Sequence, residues 1–322
     1  MPNLMTHKIF GEDVLKVSNE KVQYYVQNSP QAFSVGTSGP DFLFYHSQFP
    51  WQNQDEGKRV RKTGSLVHSQ KINDWYKIAV ESCIKEEDVE LRQRMISFMI
   101  GHICHWALDS IAHPFIFYRT DGSSKETKYW HFRYESMLDT VMVNNYRKTS
   151  IKDYPSREIL KTDKEIRMAI YQVYRKAVEE TYTVKFKYND VKKSFKDADK
   201  VLSILYDPSG RKFFTIQLLE RLIRKKWIFS SHIVTDKVKD EEDVLNLNNR
   251  TWKNPAKPSI ESNESFLDLY YKAIDLAKKA LFEFVLALES GDTSSFLKVV
   301  NNRSYETGLS EYKVMTEFKS VY

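Results

Sequence analysis

The chain has few residues that break or cross-link a fold, with two cysteines, ten glycines and nine prolines among 322 residues. Two cysteines are too few for a disulfide framework. Cys83 and Cys104 both lie in apolar helical patterns, which predicts buried free thiols. Scarce glycine and proline predict few tight turns. Strand-type alternation of apolar and polar residues extends nowhere for long. The sequence therefore predicts an all-α fold.

The chain also lacks a strong excess of charge of either sign. Its formal net charge is +6 and its pI is about 8.9. These charges are spread along the sequence, so they are compatible with an anionic substrate without specifying one. Hydrophobic residues at 41% and charged residues at 29% are ordinary for a globular protein and argue against wholesale disorder.

Neither a secretory signal nor a membrane span is expected. The N-terminal stretch MPNLMTHKIFGEDVL has no basic segment followed by an apolar one, so a cytoplasmic location is the expectation. The longest apolar run, residues 95–117, contains four ionisable side chains. Such groups are costly in lipid, so this run is interpreted as a buried helix.

Helical periodicity dominates the rest of the chain. Helices are expected over residues 6–18 with Thr6 as the N-cap, around 72–84, and over 88–112, 129–147, 163–182, 191–206, 213–229 and 266–288. Residues 36–64 and 230–263 are expected to be loop-rich, and Tyr154–Pro155 breaks the pattern. The very apolar third helix needs several neighbours, which the C-terminal helices can supply. One domain over residues 1–322 is therefore expected.

The apolar segment GHICHWALDSIAHPF, residues 101–115, contains polar side chains at helical spacing. His105, Asp109 and His113 fall at about 0°, 40° and 80° around the helix and share one face. Neighbouring side chains at this spacing can bind one ion. The alternative is a hydrogen-bonded core cluster. Pro114 disfavours helical conformation at His113, so the helix is expected to end there.

A second helix repeats the pattern, because HFRYE places His131 and Glu135 four residues apart among aromatic residues. Two such helices favour a metal site over coincidence. His102 lies about 60° away from the line of the first helix and is interpreted as a core or supporting histidine. His46 could be a ligand, a substrate contact or simple packing, and His232 is interpreted as structural.

Five motifs occur in the order MPNLMTH, GPDFLFYH, GSLVH, HWALDSIAHP and HFRYE, within roughly the first 140 residues. With this ordered set the chain resembles the zinc-dependent phospholipase C family, most closely its intracellular-looking bacterial branch. The resemblance implies an all-α fold whose helices gather ligands around up to three zinc ions. We therefore expect two or three Zn²⁺ ions.

The resemblance also implies roles for individual residues. His105 and Asp109 match the helix that binds the first zinc ion, and Asp109 can bridge to a third. Asp41, in the turn after Gly39–Pro40, and His68, which we expect just before a helix, match loop ligands of the first ion. His7, at the start of the first helix, matches a ligand of the third ion.

His131 and Glu135 match the ligand pair of the second zinc ion, with His113 as a further ligand. The chain departs from the secreted members at His113, which follows Asp109 by four residues and precedes Pro114 instead of following a proline. It also begins with Met1, where processed secreted members present a tryptophan that completes the third site. The third ion is therefore left open.

The activity implied is hydrolysis of a phospholipid or smaller phosphodiester by a metal-activated water, with Asp41 orienting or deprotonating that water. Transient contact with a membrane surface would accompany a lipid substrate. Phenylalanine stands at position 42, where choline-selective members have tyrosine, so phosphatidylcholine preference is not implied. Four aromatic residues could hold acyl chains or a base, or could equally be core: Phe42, Phe44, Tyr45 and Trp51.

Two alternatives remain open. The related single-strand zinc nucleases share the metal cluster, and would need an aromatic pocket for bases and salt-sensitive binding to nucleic acid. The other alternative is a metal-stabilised or lipid-binding helical protein with little turnover.

Overall fold

The computed structural model describes residues 4–121, 127–224, 227–238 and 240–320. The all-α prediction is confirmed, since helices dominate the described residues. The α-helices are α1 Leu4–Val17, α2 Glu20–Asn28, α3 Pro30–Gly36, α4 Gln54–Ser69, α5 Ile72–Lys85, α6 Val89–Thr120, α7 Thr127–Val141, α8 Ser156–Ile159, α9 Lys164–Tyr182, α10 Tyr188–Leu205, α11 Arg211–Leu222, α12 Phe266–Ser290 and α13 Ser294–Val300. Short 3-10 helices cover Gly39–Tyr45, Ile151–Asp153 and Ser230–His232, and a π-helical turn, Met142–Tyr146, follows α7.

Helix α6 is the centre of the fold, and α3, α9 and α12 pack along it. The crossing with α3 is close because glycines meet there. A Cβ atom on Gly101 would lie 2.3 Å from the carbonyl oxygen of Phe33, and one on Gly36 would lie 2.2 Å from that of Phe98. This close approach places the 3-10 helix Gly39–Tyr45, which follows α3, directly against α6.

Within the described residues, one helix, α6, is long and apolar enough by length and composition to cross a membrane. Of its apolar window, 94% is buried inside the structure. Its surroundings are therefore those of a core helix, as the sequence predicted. Cys83 and Cys104 are free and buried, also as predicted.

The expected end of α6 at residue 112 is wrong, because the helix continues to Thr120 with Pro114 inside it. A proline removes the hydrogen bond to the carbonyl four residues earlier, here that of Ser110. The backbone of Gly308 packs against this oxygen, since a Cβ atom there would lie 2.4 Å from it. Phe115 and Ile116 are buried beyond the proline, and this burial offsets its cost.

Four other expectations about local structure are corrected. The segment 36–64 is largely helical, because α4 begins at Gln54 with Asn53 as its N-cap. The buried face of α4 contains few large apolar residues, so the sequence of this helix shows little apolar periodicity. Thr6 lies inside α1 and not at its cap. Helix α11 ends at Leu222, before the expected 229, and the expected loop 230–263 contains a two-stranded antiparallel hairpin.

That hairpin pairs β1, Trp252–Asn254, with β2, Lys257–Ser262. Helix α12, from the C-terminal half, covers α6 as expected. The treatment of the chain as one domain stays a prediction.

Candidate metal centre

The polar face of α6 lies as the helical spacing predicts, buried within the core. The Nε2 atom of His105 is 2.9 Å from Oδ2 of Asp109, and Nδ1 of His113 is 3.5 Å from Oδ1 of the same carboxylate. All three side chains are almost completely inaccessible to solvent. Asp109 therefore lies between two histidines of its own helix.

The 3-10 helix Gly39–Tyr45 brings Asp41 to this face. Its Oδ1 atom is 2.9 Å from Nε2 of His68 and 3.8 Å from Nε2 of His105. Gly39 has a φ of +52°, and a Cβ atom there would lie 2.2 Å from the ring of His105. Only glycine allows so close an approach in this conformation. His68 lies in the last turn of α4, and α5 begins at Ile72, so His68 precedes a helix as expected while being helical itself.

Helix α1 contributes His7, whose Nε2 atom is 3.0 Å from Oδ1 of Asp109. Its ring stacks on that of His105 with centroids 4.1 Å apart. The start of α1 is held by Asp139 of α7, which accepts bonds from the Thr6 amide at 2.9 Å and the Thr6 hydroxyl at 2.7 Å. A carboxylate at a helix N-terminus is favourable, and here it sets the position of His7.

Helix α7 supplies the pair that the HFRYE motif predicts. His131 Nε2 and His113 Nε2 are 3.3 Å and 3.5 Å from Oε1 of Glu135. His113 therefore links Asp109 to Glu135, although it lies inside α6 and not at its end. The structure brings all eight predicted residues into one continuous buried cluster, which we call the His/Asp/Glu centre: His7, Asp41, His68, His105, Asp109, His113, His131 and Glu135.

Four histidines of this centre are oriented by hydrogen bonds on their Nδ1 side. Three contact backbone carbonyls, His68 that of Gly64 at 2.8 Å, His105 that of Thr37 at 3.1 Å and His113 that of Tyr305 at 3.1 Å. The fourth, His131, contacts the hydroxyl of Thr120 at 2.9 Å, which itself donates to Ile116. Each Nδ1 is therefore the donor, and a neutral ring then carries a lone pair on Nε2.

Those Nε2 lone pairs point at carboxylate oxygens, which repel them unless the rings are protonated or a cation lies between. Among the described residues, several buried polar atoms of the centre also lack a hydrogen-bond partner. Both ring nitrogens of His7, Nε2 of His105 and Oδ2 of Asp109 are buried without a hydrogen bond of acceptable geometry. Neutral imidazole and carboxylate are the nitrogen and oxygen donors that zinc binds, so the residues present fit the metal.

Two groups in the centre have ligand atoms within 4.8 Å of one another. One consists of His7, His105 and Asp109, and the other of Asp41, His68 and His105. His105 belongs to both groups. The two groups therefore define two adjacent places for an ion, one on each side of this turn of α6.

The electrostatics of the cluster show how strongly the charges depend on one another. Burial alone would raise the pKa of Asp109, but the neighbouring histidines hold it well below its usual range. The pKa of Glu135 is likewise lowered by His131 and His113 against the effect of burial. Burial opposes protonation of His113, yet Asp109 and Glu135 raise its pKa to about 10. The carboxylates of Asp109 and Glu135 are therefore held in the ionised form by positive charge on the histidines around them.

A cavity of about 620 Å³ is lined by residues that neighbour the centre in sequence, and not by the eight residues of the centre themselves. Phe44 and Tyr45, which follow Asp41 in the 3-10 helix, line it together with Phe132, which follows His131. The ring of Phe44 is 5.4 Å from that of His68. Burial raises the pKa of Tyr45, and the nearby charges of Asp41, Asp139 and Glu135 raise it further. Aliphatic side chains also line the cavity: Val201, Leu202, Leu205 and Val234.

The aromatic residues considered from the sequence divide into different environments. Phe42 is core, stacked on Phe195 at 4.8 Å. Trp51 is 80% exposed, whereas Phe44 and Tyr45 line the cavity. Sequence reasoning missed His232, which also lines the cavity with its ring 4.4 Å from that of Phe132. A single histidine in a loop has no spacing partner that could have revealed it.

The two remaining histidines lie outside the centre. His102 is a core histidine as predicted, with its ring nitrogens 3.0 Å from the hydroxyls of Tyr76 and Tyr174. His46 contacts the Ser47 hydroxyl at 3.1 Å and lies near Glu56 and Asp190.

Comparison with known proteins agrees with this geometry. No curated protein and no solved structure matches the chain. The sequence model of the family described as zinc dependent phospholipase C matches residues 6–196, which is more than half of the chain and includes all eight residues of the centre. The chain therefore belongs to the zinc-dependent phospholipase C family.

Proposed function

We propose that this protein hydrolyses the phosphodiester bond of a phospholipid, using zinc ions held by the His/Asp/Glu centre. One observation carries the proposal. Oriented histidine nitrogens and carboxylates converge in one cluster, and residues that neighbour this cluster in sequence line a cavity of about 620 Å³. Such a donor set fits a divalent cation, and the cavity offers space for a substrate close to it.

The eight residues divide into sites by their contacts. Asp41, His68 and His105 form the first group, with Asp109 beside them. His113, His131 and Glu135 form the second group. We propose one zinc ion in each. His7 and Asp109 provide part of a third site. Met1, which stands where secreted members have a tryptophan at this site, lies outside the described residues.

Bound zinc ions polarise phosphoryl oxygens and lower the pKa of water towards neutrality. The protein supplies the geometry and the proton acceptor. We propose Asp41 as the residue that orients the attacking water and takes its proton, because the cavity-lining Phe44 and Tyr45 follow it in the same 3-10 helix. Its contact with His68 at 2.9 Å fixes the orientation of its carboxylate.

The cavity wall favours a lipid over a nucleotide. Phe44, Tyr45 and Phe132, which neighbour the centre in sequence, line the cavity together with three aliphatic side chains of α10, Val201, Leu202 and Leu205. Aliphatic walls suit an acyl chain, whereas a nucleobase is held by stacking between aromatic rings. We therefore propose that the phosphate lies at the centre and the apolar part of the substrate extends towards α10.

The test compares freshly purified protein with chelator-treated protein on three substrates: a dye-linked soluble phosphodiester, a dispersed phospholipid and single-stranded RNA. We expect at least two zinc ions per chain and hydrolysis of the first two substrates. Chelation should abolish this activity and zinc should restore it. Cleavage confined to RNA would replace the proposal with a nuclease, and a zinc-loaded protein without turnover would indicate a non-catalytic role.

A further inference from the structure

Helix α11 exposes an unusual concentration of large apolar side chains. We call the following five residues the α11 patch, each at least 55% exposed: Phe214, Leu218, Leu219, Leu222 and Ile223. Three of them recur every four residues and so form a stripe along the helix. An exposed apolar patch of this kind marks an interaction site more often than chance.

The exposed charged residues of α11 and its C-terminal end are all basic. Arg211, Lys212, Arg221 and Arg224 are exposed, and the one acidic residue of α11, Glu220, is buried. Its carboxylate points inward and accepts bonds from the amide and the hydroxyl of Ser230, at 3.0 and 2.6 Å. The outer surface of α11 is therefore both apolar and cationic.

The inner face of helix α11 contacts the fold through two buried residues, Phe213 and Glu220. The buried ring of Phe213 lies beneath the guanidinium of Arg133 at 4.5 Å, and its amide donates to Asp207 at 2.9 Å. The patch is thus the outward face of a helix whose inner face is held at Phe213 and Glu220.

The chain on both sides of α11 reaches the proposed substrate cavity, although no residue of the α11 patch lines it. The chain segments immediately before and after the helix both line the cavity, through Tyr206 on one side and His232 on the other. Lys212 joins the helix to the first segment by donating to the carbonyl of Tyr206 at 3.3 Å. Tyr206 in turn pairs with Val234 of the second segment.

We propose that the α11 patch docks the protein on the surface of an anionic lipid bilayer and thereby presents the cavity to its substrate. This inference rests on the proposed function, because that function explains why the protein would bind a bilayer. The position of the docking surface is argued from the exposure and the charge of α11. A helix with apolar and basic side chains on its outer surface is suited to the boundary between acyl chains and anionic headgroups. The basic residues complement the negative charge of the lipid headgroups. A bilayer surface, unlike a protein partner, does not need a shape complementary to the patch.

The experiment uses the full chain and measures sedimentation with vesicles of phosphatidylserine and phosphatidylcholine in equal parts, and with phosphatidylcholine alone. The test variant is Leu218→Asp/Leu222→Asp. The matched control is Phe282→Asp/Leu286→Asp, which changes two exposed apolar residues of α12 in the same way. Hydrolysis of the soluble phosphodiester is measured for each protein alongside vesicle binding.

We expect the parent to prefer the anionic vesicles and the α11 variant to bind them at least about tenfold more weakly. The α12 control should bind like the parent. A second variant, Arg211→Gln/Arg221→Gln, should weaken anionic binding by about fivefold per charge removed. All variants should hydrolyse the soluble substrate at the parental rate, since none alters the His/Asp/Glu centre.

Equal vesicle binding by the α11 variant and the parent would overturn the inference. A parent protein that does not bind anionic vesicles more strongly than neutral ones would overturn it as well. Light scattering that shows the patch joining two copies of the chain, without vesicle binding, would overturn it in favour of self-association. If the parent binds vesicles through α11 but does not hydrolyse the soluble phosphodiester, the proposed function fails while the docking surface stands.

Discussion

Helices α6 and α11 depart from the usual inside–outside distribution in opposite directions. α6 carries histidines and an aspartate at positions that are almost fully buried. α11 carries leucine and phenylalanine side chains at positions that are more than half exposed. Neither pattern serves the stability of the isolated chain, because buried charge and exposed apolar surface are both unfavourable.

The two helices differ in what would compensate each departure. The carboxylates of α6 and α7 are ionised and face oriented histidine nitrogens, so the compensating partner is a cation inside the protein. The α11 patch faces outward between arginines, so its compensating partner lies outside and is apolar with negative charge. In each case the unsatisfied group indicates the chemistry of its ligand.

The largest effect should follow from removing one member of the buried pair His131 and Glu135. His131→Ala and Glu135→Ala should each lose one zinc ion and destabilise the protein by about 3 kcal/mol or more, because a buried charge is left without its partner. Zinc analysis and urea unfolding of the same preparations measure both effects. Variants with full metal content and parental unfolding curves would show that the pair is not a metal site.

A smaller effect should distinguish the two helices directly through one substitution made in each. Leu108→Ala in α6 removes a fully buried side chain and should cost about 2–5 kcal/mol in free energy of unfolding. Leu222→Ala in the α11 patch should change it by no more than about 0.5 kcal/mol. A large loss at Leu222 would mean that this side chain supports the fold and is not held outward for a partner.

The helical parts of the centre could be predicted because they have a sequence period. The four-residue spacings in α6 and α7 place His105 with Asp109 and His131 with Glu135 on shared faces, as the structure shows. Loop and helix-end positions carry no such period. His68 precedes α5 as expected, but its own position inside α4 was not predicted, because α4 buries few large apolar residues and so has little apolar periodicity.

Tertiary contacts explain what the sequence could not reveal. Pro114 argued for a helix end at His113, but the burial of the following turns and the packing of Gly308 keep the helix intact. His232 has no partner nearby in sequence and reaches the cavity only through the fold. The segment 213–229 was recognised as amphipathic, yet only the structure shows which part of its surface stays uncovered.

The most direct test of the metal centre is the substitution Asp109→Asn, because Asp109 contacts His7, His105 and His113. Asparagine preserves volume and can still hydrogen-bond an imidazole, but its neutral amide binds zinc poorly. If the cluster were merely a hydrogen-bonded core, the change should cost about 1–3 kcal/mol with zinc content and activity untouched. We predict instead the loss of at least one zinc ion per chain and a decrease in phosphodiester hydrolysis by orders of magnitude, both measured on one preparation. Full zinc content with parental activity in Asp109→Asn would contradict the account.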